Sequence, residues 1–202
     1  MMRDAGDELR EQKRELRRSM TARLARLSAD AVKERSRRVE QRVCAMQWWR
    51  EASTVFCYVS MPKEVQTAGI LDRAWSQGKV VALPRVTKDG LVFHRADDVE
   101  RSLVRGPLNI LEPASDLPVV DPGETDRGRA RSLVLVPGLA FDRRGWRLGR
   151  GKGYYDGFLG PHRGQVWTVA LCFEEQLVDS VPHGDGDVPI DALATPDRLV
   201  VP

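Results

Sequence analysis

The chain has 202 residues, 42% hydrophobic and 30% charged, with a formal net charge of +3, which suits one globular domain with a sizeable core. No stretch is apolar for the roughly 18 residues a membrane span needs, and the polar start "MMRDAGDELREQKREL" lacks a signal-peptide core, so a cytoplasmic protein is expected. Cys44, Cys57, Cys172 and His94, His162, His183 are scattered and form no CxxC, which argues against structural zinc, and Cys57 and Cys172, inside apolar runs, read as buried free thiols.

The first fifty residues hold 14 Lys and Arg against 8 Asp and Glu. That excess fits either a nucleic-acid arm or two solvated helix faces. Between Glu8 and Leu27, the apolar residues Leu9, Leu16, Met20, Leu24 and Leu27 share one helical stripe. Ser28 interrupts the stripe and is placed to cap a second helix carrying Val32, Val39, Val43 and Met46. "STVFCYVS" (53–60) reads as a buried strand. Thr67 is a candidate cap for a helix through Trp75 that Gly78 ends, and "KVVALP" (79–84) follows as a strand. Strand, helix and strand in this span make a βαβ unit with parallel pairing.

"LVFHR" (91–95) reads as a weaker, antiparallel strand, and 105–131, rich in Pro, Gly and charge, as a surface loop. "SLVLVP" (132–137) and "VWTVALC" (166–172) have the continuous apolar character of fully buried strands, and "RLVVP" (198–202) can close the sheet. The predicted architecture is α/β. A single domain over 1–202 forms a three-layer α/β/α sandwich with a mostly parallel, mixed sheet and two N-terminal helices.

One segment stands apart, "FDRRGWRLGRGKGYYDGFL" (141–159), just beyond the carboxyl end of a buried strand, where open α/β sheets place ligands. It is not a Walker A loop, because Gly153 follows Lys152, nor a dinucleotide fingerprint, because Tyr154 stands where the last Gly belongs. Its ingredients still suit an anion. Gly149, Gly151 and Gly153 permit positive φ, so consecutive N–H groups can face a phosphate. Arg147, Arg150 and Lys152 add charge, and residues 154–159 begin a helix whose first turn carries Asp156, a potential Mg²⁺ ligand. A flexible, solvated basic loop is the alternative. The aromatics Trp146, Tyr154, Tyr155 and Phe158 favour a pocket holding a planar ring.

"LVPGLAFDRRGWRLGRGKGYYDGFL" resembles the signature of 5-formyltetrahydrofolate cyclo-ligases, and weaker similarity extends over nearly the whole chain. "KRELR" (13–17) resembles the family's nucleotide-contacting segment, and an i, i+4 spacing puts Lys13 and Arg17 on one helix face. The resemblance implies ATP contacts from Lys13, Arg17, Arg147, Leu148, Gly149, Arg150, Gly151, Lys152, Gly153, Tyr154 and Tyr155, with Arg150 and Lys152 catalytic. "YVSMPKEVQT" (58–67) and "GPLNILEP" (106–113) resemble folate-contacting segments, which implies substrate contacts from Val59, Glu64, Leu108, Tyr154 and Tyr155. Some members carry an aromatic near Leu108; this chain does not. "ALPRV" (82–86) adds Arg85 as a further phosphate or substrate contact.

The tail "GDGDVPIDALATP" (184–196) resembles the family's last motif and implies Asp187, or Asp185 two residues earlier, as the partner of Asp156 on Mg²⁺, with Asp191 structural. The implied reaction converts 5-formyltetrahydrofolate, possibly polyglutamylated, to 5,10-methenyltetrahydrofolate with ATP as co-substrate, on a monomer binding neither nucleic acid nor membrane. Two other classes stay open: a nucleotide-using enzyme with another acceptor, and a nucleic-acid-binding protein.

Overall fold

The first two helices each bury the stripe their spacing predicts. In the computed structural model, which describes residues 5–106, 111–123 and 131–202, α1 spans Ala5–Ala25 and α2 Ala29–Ala45. Met20 and Leu24 of α1 and Val32, Val39 and Val43 of α2 are buried. Ser28 caps α2 by accepting from the Ala31 amide at 3.1 Å. The opposite faces carry ion pairs, Arg14 with Glu11 and Arg37 with Glu34 within a helix, and Arg38 with Asp197 beyond β10. The basic excess of the first fifty residues therefore forms solvated helix surface, laced with ion pairs.

A short α3 (Gln47–Glu51) leads into β1 (Thr54–Phe56), and α4 (Ala68–Ser76) crosses over to β2 (Val80–Thr87), which pairs parallel with β1. Thr67 does not cap α4 through its side chain. The residue is buried, and its hydroxyl donates to the Tyr58 carbonyl at 2.6 Å, fastening the helix start to the end of β1. Gly78, at φ +69°, ends that helix as expected. β3 (Gly90–Arg95) returns antiparallel to β2, and α5 (Val99–Ser102) follows. The segment read as surface loop contains a strand, β5 (Leu111–Pro113), paired antiparallel with β4 (Leu103–Arg105).

The chain re-enters the main sheet at β6 (Leu133–Val136). A small hairpin of β7 (Ala140–Phe141) and β8 (Arg147–Leu148) then precedes α6 (Tyr154–Leu159). The sheet ends with β9 (Trp167–Leu171), β10 (Ala192–Ala194) and β11 (Leu199–Val200). Its order is β11-β10-β9-β6-β1-β2-β3, parallel except at the two outer pairs, β2–β3 and β10–β11.

Alternation along the strands sends side chains to two cores. Val55, Val81, Leu133, Leu135, Val169 and Leu171 meet α1, α2 and α4. Phe56, Ala82, Val134, Val136 and Ala170 meet Phe93, Phe141 and Leu159 on the other side. The second outer layer is thin, since α6 has six residues and an isolated helix of that length is unstable in water. Packing holds it: Leu159 is buried, and the Phe158 ring lies 4.4 Å from Phe93 and 5.9 Å from Phe56. Full burial of a side chain the size of Leu159 contributes about 1.5–3 kcal/mol, and the partly buried Phe158 packs on the same core. Leu159 and Phe158 thus anchor α6, and Phe158 does not form a pocket wall as its sequence neighbourhood suggested.

Candidate active site

Strand order reverses between β1 and β6. From β1 the chain moves through β2 to β3 on one side, and from β6 through β9 to β10 on the other. Such a reversal leaves a crevice at the carboxyl ends of the strands. Here it is a cleft of about 400 Å³ between the loop after β1, the segment after β6, α1, β5 and the glycine-rich loop between β8 and α6.

Residues far apart in sequence converge on it. Lys13, Arg17, Val59, Glu64, Arg147, Leu148, Gly149, Arg150, Gly151, Lys152, Gly153, Tyr154, Tyr155, Asp156 and Asp187 all line the cleft. Leu108 lies outside the described residues. Asp185 is exposed and away from the cleft, so geometry selects Asp187 of the two. Asp191 accepts from the Thr168 amide and hydroxyl at 2.9 and 2.8 Å, tying the entry of β10 to β9. Arg85 points elsewhere, donating to the Pro113 carbonyl at 2.7 Å, because alternation on β2 turns Pro84 and Val86 to the cleft instead. Trp146 stacks on His183 at 3.8 Å and 10°, outside the cleft.

The glycines do different jobs. Gly151 and Gly153 have φ of +102° and +70°, which an L side chain adopts only with strain. Gly149 lacks a positive φ; a Cβ there would sit 3.0 Å from Arg147 Nη1, so its need is close approach. Arg17 donates to the Gly149 carbonyl at 3.0 Å and its guanidinium abuts Gly151, so α1 braces the loop.

Three ion pairs cross the cleft. Lys13 Nζ meets Asp187 Oδ2 at 2.5 Å, and the same oxygen accepts from the Gly184 amide. Arg147 Nη2 meets Asp156 Oδ1 at 2.7 Å, with only 4% of the arginine side chain and 19% of the aspartate side chain exposed. Arg150 Nη2 meets Glu64 Oε1 at 3.0 Å, but the arginine is 53% exposed. Lys152 is exposed and makes no ion pair among the described residues. Magnitudes separate these pairs. Breaking a buried pair costs about 3–5 kcal/mol, whereas a solvent-exposed one contributes about 1 kcal/mol or less. Arg147 is locked; Arg150 is free to change partners.

Five cations face four carboxylates in the lining, counting Glu112 of β5. A near balance gives little field for a polyanion until something covers the acids. Among the described residues, Asp156 Oδ2 and Asp187 Oδ1 accept no hydrogen bond, so each acid keeps one oxygen for a cation. Two carboxylates suit Mg²⁺, which completes its shell with water and phosphate oxygens.

The opposite wall is apolar, built from Tyr58, Val59, Pro84, Val86, Leu91 and Leu111. Burial raises the Tyr58 and Tyr155 hydroxyls far above the usual phenol range, with further upward pushes at Tyr155 from Cys57 and Glu64. The Tyr155 hydroxyl is buried without a hydrogen-bond partner among the described residues, while its ring lies 5.7 Å from the Arg147 guanidinium carbon. Tyr155 therefore offers the cleft a ring face, not a titrating group. Cys57 beneath the floor is an inert thiol, pushed up to about 12 by burial. Sequence reasoning missed Tyr58, Met61, Glu112 and the β2 positions Pro84 and Val86. The strand alternation of "VALPRV" was the available signal for the last two.

A model of the 5-formyltetrahydrofolate cyclo-ligase family matches residues 9–196. The chain is 33% identical to the 5-formyltetrahydrofolate cyclo-ligase of Mus musculus, over 92% of this chain and 94% of that one. Identity to the probable 5-formyltetrahydrofolate cyclo-ligase of Schizosaccharomyces pombe is 29%, over 93% and 97%. The NMR structure of Aquifex aeolicus 5,10-methenyltetrahydrofolate synthetase superposes with a TM-score of 0.79 at 27% identity, covering 94% of this chain and 92% of that one.

Proposed function

The chain belongs to the 5-formyltetrahydrofolate cyclo-ligase family, and from that premise we propose how its cleft converts 5-formyltetrahydrofolate to 5,10-methenyltetrahydrofolate with hydrolysis of ATP. The observation that carries the reading is the division of the cleft. A basic glycine loop braced by α1 faces an apolar wall, so a polyanion and a flat heterocycle can lie side by side.

An amide oxygen is a poor leaving group. In the proposed sequence the formyl oxygen attacks the γ-phosphorus of ATP and ADP leaves. Folate N10 then attacks the activated carbon, closing the ring, and the former formyl oxygen departs with phosphate while N10 loses its proton. Phosphoryl transfer needs alignment and charge neutralisation more than acid–base chemistry.

In this reading the N–H groups of Gly149, Gly151 and Gly153, with Leu148, Lys13, Arg17 and Arg147, hold the triphosphate. Lys152 and Arg150 meet the transferring group, Arg150 after leaving Glu64. Tyr154, Tyr155 and Val59 seat the folate rings. Asp156 and Asp187 would hold Mg²⁺, whose charge neutralises phosphate oxygens when it is bound. The free thiols suit a reducing compartment, so a cytoplasmic monomer completes the proposal.

The test is the growth of the methenyltetrahydrofolate absorbance band from 5-formyltetrahydrofolate, followed with and without ATP and Mg²⁺. Product is expected only when both are present, with one ADP per product. Product at equal rate without ATP, or ATP turnover indifferent to the folate, overturns the reading.

A further inference from the structure

Three of the four carboxylates in the cleft accept hydrogen bonds; Glu112 has only a long ion pair, to Arg85. Glu112 lies in β5, its side chain is 7% exposed, and it lines the cleft. Neither of its oxygens accepts a hydrogen bond among the described residues, and Oε2 is fully buried. The nearest cation, Arg85 Nη1, stands 4.0 Å from Oε2 and donates instead to the Pro113 carbonyl.

That contact holds β5 to β2, and pairing of Glu112 with Val104 fixes it from the other edge. A Cβ at Gly106 would come within 2.6 Å of the Glu112 carboxyl carbon, so backbone packs directly on the group. The fold therefore presents an immobilised, buried carboxylate that accepts no hydrogen bond among the described residues. Such a group is costly unless a ligand brings the donors.

We infer that Glu112 is a substrate-recognition residue that accepts the paired N–H donors on the pterin edge of the bound folate. The inference rests on the proposed function and names a contact within it. Its neighbours Pro84, Val86, Leu91 and Leu111 make the apolar wall against which a flat ring fits, while the cations come from α1 and the glycine loop. The pterin carries an amino group beside a ring N–H, two donors that match a carboxylate. Adenine flanks its amino group with ring acceptors, which a carboxylate repels, so the nucleotide is the wrong occupant. Glu64, expected in this role from the resemblance, keeps one oxygen on the Met61 amide at 2.9 Å even after Arg150 leaves the other, so it has one oxygen to offer where paired donors need two.

The experiment compares the full-length wild type with Glu112→Ala and Glu112→Gln, measuring Kd for 5-formyltetrahydrofolate by calorimetry and KM for folate and for ATP. Loss of charge-assisted hydrogen bonds should raise folate Kd and KM roughly 10- to 100-fold in the alanine variant. ATP KM should stay within about twofold and kcat within about threefold, a split that general distortion of β5 does not produce. The glutamine variant should fall between, and decides the matter by the same criteria if the alanine variant does not fold. Unchanged folate affinity, or folate and ATP constants rising together, overturns the inference. If the wild type binds 5-formyltetrahydrofolate and the variants bind it equally well, the proposed function stands and the Glu112 assignment alone falls. Failure of the wild type to bind it removes both.

Discussion

Arg150→Ala lowers kcat for methenyltetrahydrofolate formation at least about tenfold while the protein melts within about 2 °C of the wild type. Both halves follow from its position. The Arg150 side chain is 53% exposed, and its partner Glu64 keeps the Met61 amide when the arginine is gone, so the carboxylate left behind retains a hydrogen bond. In phosphoryl transfer, an arginine that reaches the transferring group stabilises charge that is greatest in the transition state. Its effect therefore appears in kcat more than in either KM. Lysine at 150 recovers only part of the rate, because an ammonium cannot grip two phosphate oxygens in parallel. Steady-state kinetics beside a thermal melt reads both halves. An unchanged kcat removes Arg150 from the transferring group and leaves Lys152 as the remaining candidate.

Asp156→Ala should act first on folding. Its carboxylate is the ion-pair partner of Arg147, whose side chain is 4% exposed, and it also accepts from the Val188 amide at 3.2 Å. Removing one member of such a pair costs about 3–5 kcal/mol. For a chain of this size the melting temperature falls about 2–4 °C per kcal/mol, a loss of roughly 6–20 °C. Asp156→Asn keeps an oxygen for Arg147 and Val188 and should recover most of that loss. It lacks the charge a Mg²⁺ ligand needs, so its activity should remain low. A wild-type melt for the alanine variant contradicts the structural role; full activity in the asparagine variant contradicts the metal role.

How far the sequence announced all this depends on whether a residue's neighbours share its reason for being there. The stripes of α1 and α2 and the apolar runs of β1, β6 and β9 repeat their signal over many residues, so elements and burial were legible. β10 is only three residues, Ala192–Ala194, and β7 and β8 are two residues each; no period can establish itself in so little chain. The glycine loop showed its anion chemistry in composition alone. Its aromatics were harder to place. Tyr154 and Tyr155 line the cleft while Phe158, a turn further on, packs against Phe93 and Phe56, and a stacking partner 37 residues away takes Trp146. Glu112 had no local mark, because its burial comes from pairing with β4 and packing beside β2. The ion pairs Lys13–Asp187 and Arg150–Glu64 join residues too distant for any local pattern to connect.

The whole mechanism turns on where the nucleotide's phosphates lie. A crystal structure with Mg²⁺ and a non-hydrolysable ATP analogue measures that position directly. The β- and γ-phosphates are expected against the backbone amides of 149–153, with Asp156 and Asp187 beside the metal and Arg150 turned away from Glu64. Phosphates bound elsewhere, with those amides facing only solvent and Arg150 still on Glu64, would contradict the account.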